Sequence, residues 1–225
     1  MNRIEQLRWM IDVGIVAIVR SSDAGQLVDV ARALADGGVT VIEVTMTVPS
    51  ALHVIHQVRE ALGQRLLLGA GTVLDPETAR AAILAGADFI VAPTLNPETI
   101  RLCHRYDKAV LPGAFTPTEI LTAWEMGADL VKVFPAEVLG PAFFKAVQAP
   151  LPQIRLMPTG GVNLQTAADF LKAGACCLGV GSQLVDPKRI ATGDFQYLRD
   201  QAKRYVEVVQ QTRASLSGKP ESMHG

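Results

Sequence analysis

The sequence predicts an α/β fold, a single (β/α)8 TIM barrel with an extra helix at its N-terminus. Three observations predict it: eight short apolar runs, helical patterns between them, and one helix-to-strand joint that keeps returning. The runs fall at residues 15–20, 41–45, 66–71, 89–92, 109–111, 130–134, 155–158 and 178–181. Most are apolar at successive positions, as strands of a parallel sheet covered by helices are. Eight such strands alternating with helices favour a closed barrel. An open doubly wound sheet is the alternative that the pattern alone leaves standing.

The joint is a helical segment, then Gly, then an apolar run. It occurs as Ala35-Asp36-Gly37-Gly38, Ala85-Gly86-Ala87-Asp88, Met126-Gly127-Ala128-Asp129 and Ala173-Gly174-Ala175. Glycine suits the place because the residue after a helix often needs a positive φ. Helices are expected to start at Ser22/Asp23, Ser50, Asp75-Pro76, Asn96-Pro97, Thr116-Pro117 and Asn163. Three of these pair a capping side chain with Pro just inside the helix, which fixes φ where no donor is needed.

A chain of 225 residues, 49% hydrophobic, can bury the core of one large domain, assigned to 1–213. Residues 214–225, rich in Ser, Gly, Lys and Glu, are expected to form a disordered tail. A net charge of −1 gives no basic excess for nucleic acid. The apolar stretch from Val13 to Val19 is too short to cross a bilayer, and the opening residues lack the apolar core of a signal peptide. Three cysteines make no disulfide framework. A soluble cytoplasmic protein with no membrane partner is expected.

Barrel enzymes place their chemistry at the C-terminal ends of the strands. Side chains alternate along a strand, so Lys132 shares its face with Leu130 and Phe134, and Glu43 with Val41 and Thr45. Arg20 closes the first strand on the face of Val16 and Ile18. A lysine among apolar neighbours loses hydration of its charged form, and free amine becomes available. A nearby carboxylate can move protons, and an arginine can grip a substrate carboxylate with two hydrogen bonds. Together these suit a lyase that forms a Schiff base with a 2-keto acid. The alternative is a Glu–Lys ion pair that serves structure alone.

After strands seven and eight come Pro158-Thr159-Gly160-Gly161-Val162 and Gly179-Val180-Gly181-Ser182, which expose backbone N–H groups where barrels commonly bind phosphate. Two tight turns without a ligand are the alternative there. His53, His56 and His104 read as peripheral helix residues, and Asp88 and Asp129 as joint residues on the stability face. No zinc spacing, Walker loop or dinucleotide fingerprint is present.

From about Ile15 to Val185 the chain resembles the bacterial 2-keto-3-deoxy-6-phosphogluconate (KDPG) and 4-hydroxy-2-oxoglutarate (KHG) aldolases of class I. Seven ordered segments carry the resemblance, among them Ile42-Glu43-Val44-Thr45, Gly69-Ala70-Gly71-Thr72-Val73, Val91-Ala92-Pro93, Leu111-Pro112-Gly113 and Val131-Lys132-Val133-Phe134-Pro135-Ala136-Glu137. The other two are the glycine segments after strands seven and eight. The resemblance implies that Lys132 forms the Schiff base and Glu43 is the general acid/base. It implies Thr72, Pro93, Phe134 and Thr159 around the pyruvyl half, and Gly160, Gly161 and Ser182 on the phosphate. It further implies a homotrimer, no metal and no cofactor beyond the covalent lysine. Many members carry an arginine where this chain has Thr47; the expectation here moves the carboxylate grip to Arg20. The activity implied is cleavage of KDPG to pyruvate and glyceraldehyde 3-phosphate, with 4-hydroxy-2-oxoglutarate as a further substrate. The C4-epimeric 2-dehydro-3-deoxy-6-phosphogalactonate is an alternative substrate. An isomerase or epimerase using the same pair, or a non-catalytic sugar-phosphate sensor, are the rival functions.

Overall fold

The computed structural model describes residues 1–21 and 25–218. Eight parallel strands form the wall: β1 (Ile15–Val19), β2 (Val41–Thr45), β3 (Leu67–Gly71), β4 (Phe89–Val91), β5, β6 (Val131–Val133), β7 (Leu156–Pro158) and β8 (Leu178–Val180). Strand β5 comes in two pieces, Ala109–Leu111 and Gly113–Ala114, on either side of Pro112. The first piece pairs with β4 and the second with β6. Strand β8 pairs with β1, and a Thr159–Gly179 bridge joins β7 to β8. The ring therefore closes, and the open-sheet alternative falls.

The helices are α1 (Arg3–Val13), α2 (Leu27–Asp36), α3 (Ala51–Leu62), α4 (Pro76–Ala85), α5 (Pro97–Arg105), α6 (Pro117–Glu125), α7 (Ala136–Gln148), α8 (Ala167–Lys172), α9 (Pro187–Ala191) and α10 (Phe195–Ser217). At the recurring joints Gly38, Gly86, Gly127 and Gly174 all have positive φ, between 93° and 113°. Asp75, Asn96 and Thr116 each accept backbone N–H bonds at a helix start that continues with Pro. Helix α3 starts directly after Ser50 as expected, but Ser50 lies in the left-handed region and its hydroxyl caps nothing. Asn163 instead accepts from the N–H groups of Gln165 and Thr166, folding a turn that delays α8 to Ala167. The start expected at Ser22/Asp23 lies outside the described residues. Residues 214–217, expected in the tail, continue helix α10, and 219–225 lie outside the description.

The barrel has two apolar compartments. The larger packs the outward strand faces against the helices. The inner one stacks Val16, Val41, Leu67, Phe89, Ala109, Leu130, Met157 and Cys177 inside the ring, with Met10 of α1 against them. Helix α1 ends at Gly14, just where β1 begins, so it closes the N-terminal end of the barrel. Its buried Gln6 accepts a hydrogen bond from the N–H of Ala109 at 2.8 Å. Asp88 and Asp129 accept from the N–H groups of Leu68 and Val110 at 3.0 Å, which ties the joints to neighbouring strands. His56 faces Glu60 on the outer surface of α3, as a peripheral residue should. The open end left by this arrangement is the C-terminal one.

Candidate active site

Two residues along from the inner apolar layer, side chains of the same parity change character. Val41 is followed by Glu43, Leu130 by Lys132 and Met157 by Thr159, whereas Val16 is followed by a further apolar residue, Ile18. The strand register sets Ile18 beside Glu43, Glu43 beside Gly69, and Gly113 beside Lys132. Both charged residues are thus held by regular strands on an apolar floor, the rigid support that catalytic geometry needs.

Glu43 is fully buried and Lys132 is 2% exposed. They form no ion pair: neither carboxylate oxygen of Glu43 has a hydrogen-bond partner. The purely structural ion pair is therefore not what the barrel contains. Burial pushes the Glu43 carboxyl above its ordinary value, against the pull of Lys132 and Arg20. Burial likewise pulls the Lys132 amine down, Glu43 opposing it and Arg20 assisting. Both shifts favour the uncharged forms, an amine able to attack and a carboxylic acid able to donate. The amine nitrogen lies 5.2 Å from the centre of the Phe134 ring.

A raised carboxyl pKa makes stability depend on pH. Unfolded, Glu43 ionises above about 4.5, while the folded barrel keeps its proton longer, so ionisation favours unfolding as pH rises. Glu43→Gln should therefore gain on the wild type from about pH 4 to about pH 7, with the smallest gap in acid. Thermal melts at the two pH values read this; a constant gap would mean that Glu43 titrates in the barrel as it does in water.

The other expected residues fall into two hollows and one isolated position. Arg20, Thr159, Gly160, Gly161 and Ser182 line one cavity of about 340 Å³, together with Ile18 and Glu137. Pro93 and Phe134 line a second hollow of about 290 Å³, with Gly113 and Phe115. Thr72 lines neither, but its φ of 57° is unusual for a β-branched residue and places strain directly after β3. The buried Thr159 hydroxyl has no partner, and so is free for a ligand. Gly160 and Gly161 both have positive φ. At Thr47, where the resemblance led us to look for arginine, the hydroxyl instead lies 2.7 Å from that of Thr45.

Sequence reasoning missed the steric role of several glycines. A Cβ on Gly71 would sit 1.6 Å from Oε1 of Glu43, and one on Gly113 2.1 Å from the Pro93 carbonyl oxygen. Their signal was present: in β3, Gly69 and Gly71 occupy inward positions where a strand should carry side chains. Glu137, in the segment that begins at Val131, also lines the first cavity. No group of three or more His, Cys, Asp or Glu that could hold a metal ion occurs among the described residues.

Comparison with known proteins agrees with this geometry. Residues 7–200 match the family described as KDPG and KHG aldolase. The chain is 36% identical to the 2-dehydro-3-deoxy-phosphogluconate aldolase of Treponema pallidum, covering 88% of this chain and 92% of that one. It is 33% identical to the 2-dehydro-3-deoxy-6-phosphogalactonate aldolase of Escherichia coli, covering 91% and 100%. A crystal structure of KDPG aldolase from Legionella pneumophila, with pyruvate captured as a covalent carbinolamine, superposes with a TM-score of 0.81 at 26% identity, covering 86% and 95%. A closed parallel barrel with a buried, unpaired lysine and glutamate at its open end thus coincides with sequence similarity along most of the chain, and the protein belongs to the KDPG and KHG class I aldolase family.

Proposed function

We propose that the protein cleaves a 2-keto-3-deoxy sugar acid phosphate, KDPG, to pyruvate and glyceraldehyde 3-phosphate through a Schiff base on Lys132. The observation that carries this reading is the lysine itself, buried, pushed toward its free amine and not paired with Glu43. The amine attacks C2 of the keto acid, and loss of water gives an iminium ion. That cation takes up the electron pair of the C3–C4 bond as it breaks. Glu43, held as the acid by burial, gives its proton to the hydroxyl that leaves C2 as water; the carboxylate so formed then receives the C4 hydroxyl proton, through a water, and the aldehyde leaves. The enamine is protonated at C3 and hydrolysed, which frees pyruvate and restores the amine. The lysine supplies the electron sink, so the reaction calls for no cofactor or metal.

Arg20 holds the C1 carboxylate in this scheme. Its charge acts on both Lys132 and Glu43, which supports a place beside the reacting carbons. Thr72, Pro93, Phe134 and Thr159 surround the pyruvyl half, and backbone N–H groups of Gly160, Gly161 and Ser182 hold the phosphate. Similarity to phosphogluconate and phosphogalactonate aldolases, within a family described as KDPG and KHG aldolase, leaves the C4 epimer and 4-hydroxy-2-oxoglutarate as the competing substrates. The reading extends to a homotrimer working in the cytoplasm. No helix among the described residues is long and apolar enough to cross a membrane.

Reduction with borohydride in the presence of pyruvate tests the chemistry. A reduced pyruvyl adduct mapped by mass spectrometry to Lys132 is expected. An enzyme that turns over unharmed by borohydride, with no adduct, would instead use Lys132 and Glu43 as an isomerase's acid/base pair.

A further inference from the structure

The cavity beside the glycine loop holds a charged group that this mechanism leaves idle. Glu137 follows β6, the strand of Lys132, by way of Phe134 and Pro135, and lines the same cavity as Gly160, Gly161 and Ser182. It is pressed against the loop: its Cβ and Oε2 lie 2.4 and 2.7 Å from where a Cβ on Gly161 would stand. Gly161 is therefore a glycine partly because Glu137 occupies its side-chain space. The carboxylate makes no hydrogen bond or ion pair among the described residues, Arg20 in the same cavity included. Glu137 is exposed in the first turn of α7, so its carboxylate faces the cavity hydrated and open to a ligand.

A carboxylate accepts hydrogen bonds and donates none. A substrate joined at C2 to Lys132, with its phosphate on the glycine loop, must span the space between them. On a 2-keto-3-deoxy sugar acid phosphate the carbon next to the cleaved bond on that side, C5, bears a hydroxyl, a donor. On 4-hydroxy-2-oxoglutarate the same carbon is a carboxylate. That molecule carries no phosphate for the loop's N–H groups, and beside Glu137 its carboxylate would be a like charge.

We propose that Glu137 is a specificity-determining residue, which accepts a hydrogen bond from the hydroxyl of the aldehyde half and repels a carboxylate at the same carbon. The proposal rests on the Schiff-base reading of Lys132. Glu137 thereby selects hydroxylated aldehydes over glyoxylate without touching the bond that breaks.

The experiment compares kcat/KM for KDPG and 4-hydroxy-2-oxoglutarate in the wild type, Glu137→Gln and Glu137→Ala. Glu137→Gln removes the charge and keeps an acceptor, so the preference for KDPG should fall about tenfold, mainly through a gain on the dicarboxylate. Glu137→Ala should also lose on KDPG, because the acceptor is gone. Equal changes on both substrates, or an unchanged or increased preference, would overturn the proposal and leave Glu137 as a support for the loop. Borohydride trapping in parallel separates the two layers. An adduct on Lys132 with an unmoved preference refutes the role of Glu137 alone; no adduct in the wild type refutes the reading beneath it.

Discussion

Lys132→Met is expected to abolish turnover while leaving the barrel folded and no less stable than the wild type. Methionine is of similar length and apolar, and the position lies above an apolar layer that includes Leu130 and Met157. The substitution removes a buried amine that no carboxylate oxygen contacts, so no paired charge is orphaned. Glu43 loses one of its two positive neighbours, and burial then holds its proton more firmly. Folding is thus spared while covalent chemistry is lost, and kcat should drop by at least about 10⁴-fold, as for other nucleophiles removed from their sites. Lys132→Arg should fail equally, since it keeps a cation and supplies no amine. Steady-state rates, pyruvate trapping and a thermal melt together check this. A Met variant that melts as the wild type and retains turnover would end the covalent role.

How much of this was legible in the sequence depends on which physical rule each residue obeys. Strand parity is local: Val41 and Leu130 point inward, so Glu43 and Lys132 must, and the two ended on one buried layer. The joints were legible for the same reason, because a positive φ after a helix is satisfied within a few residues. What parity cannot give is how loops from different strands divide space. Pro93 and Phe134 line one hollow while Arg20 shares another with the glycine loops, and nothing along the chain encodes that partition. Asn163 shows a further limit. Its side chain competes for backbone donors by folding a turn, so a residue suited to capping a helix postpones one. The end of the barrel was misplaced because composition alone marked 214–217 as tail, although helix α10 runs through them.

Gly71→Ala is expected to cost nearly as much activity as removing Glu43, although it adds a single methyl group. The new Cβ would fall 1.6 Å from Oε1, 2.3 Å from Cδ and 2.6 Å from Cγ of Glu43. Neither side has an easy retreat. Gly71 is in register with Thr45, and its carbonyl accepts from the N–H of Met46 at 2.8 Å, which pins the end of β3 against β2. Glu43 is fully buried on β2, with the barrel packed around it. The carboxyl must therefore leave the place from which it would serve the C4 hydroxyl in the proposed cleavage, and losing a positioned acid/base costs about 10²- to 10⁴-fold in kcat. Overpacking should add a destabilisation of about 1–3 kcal/mol. A double-mutant cycle separates the two effects. Adding Glu43→Ala to Gly71→Ala clears the clash, so stability should recover relative to Gly71→Ala alone while activity stays lost. Lys132 is untouched in either variant and should still trap pyruvate. If Gly71→Ala keeps wild-type turnover, or if Glu43→Ala fails to relieve its instability, the carboxyl does not lie against Gly71. The inward glycine of β3 would then need another cause.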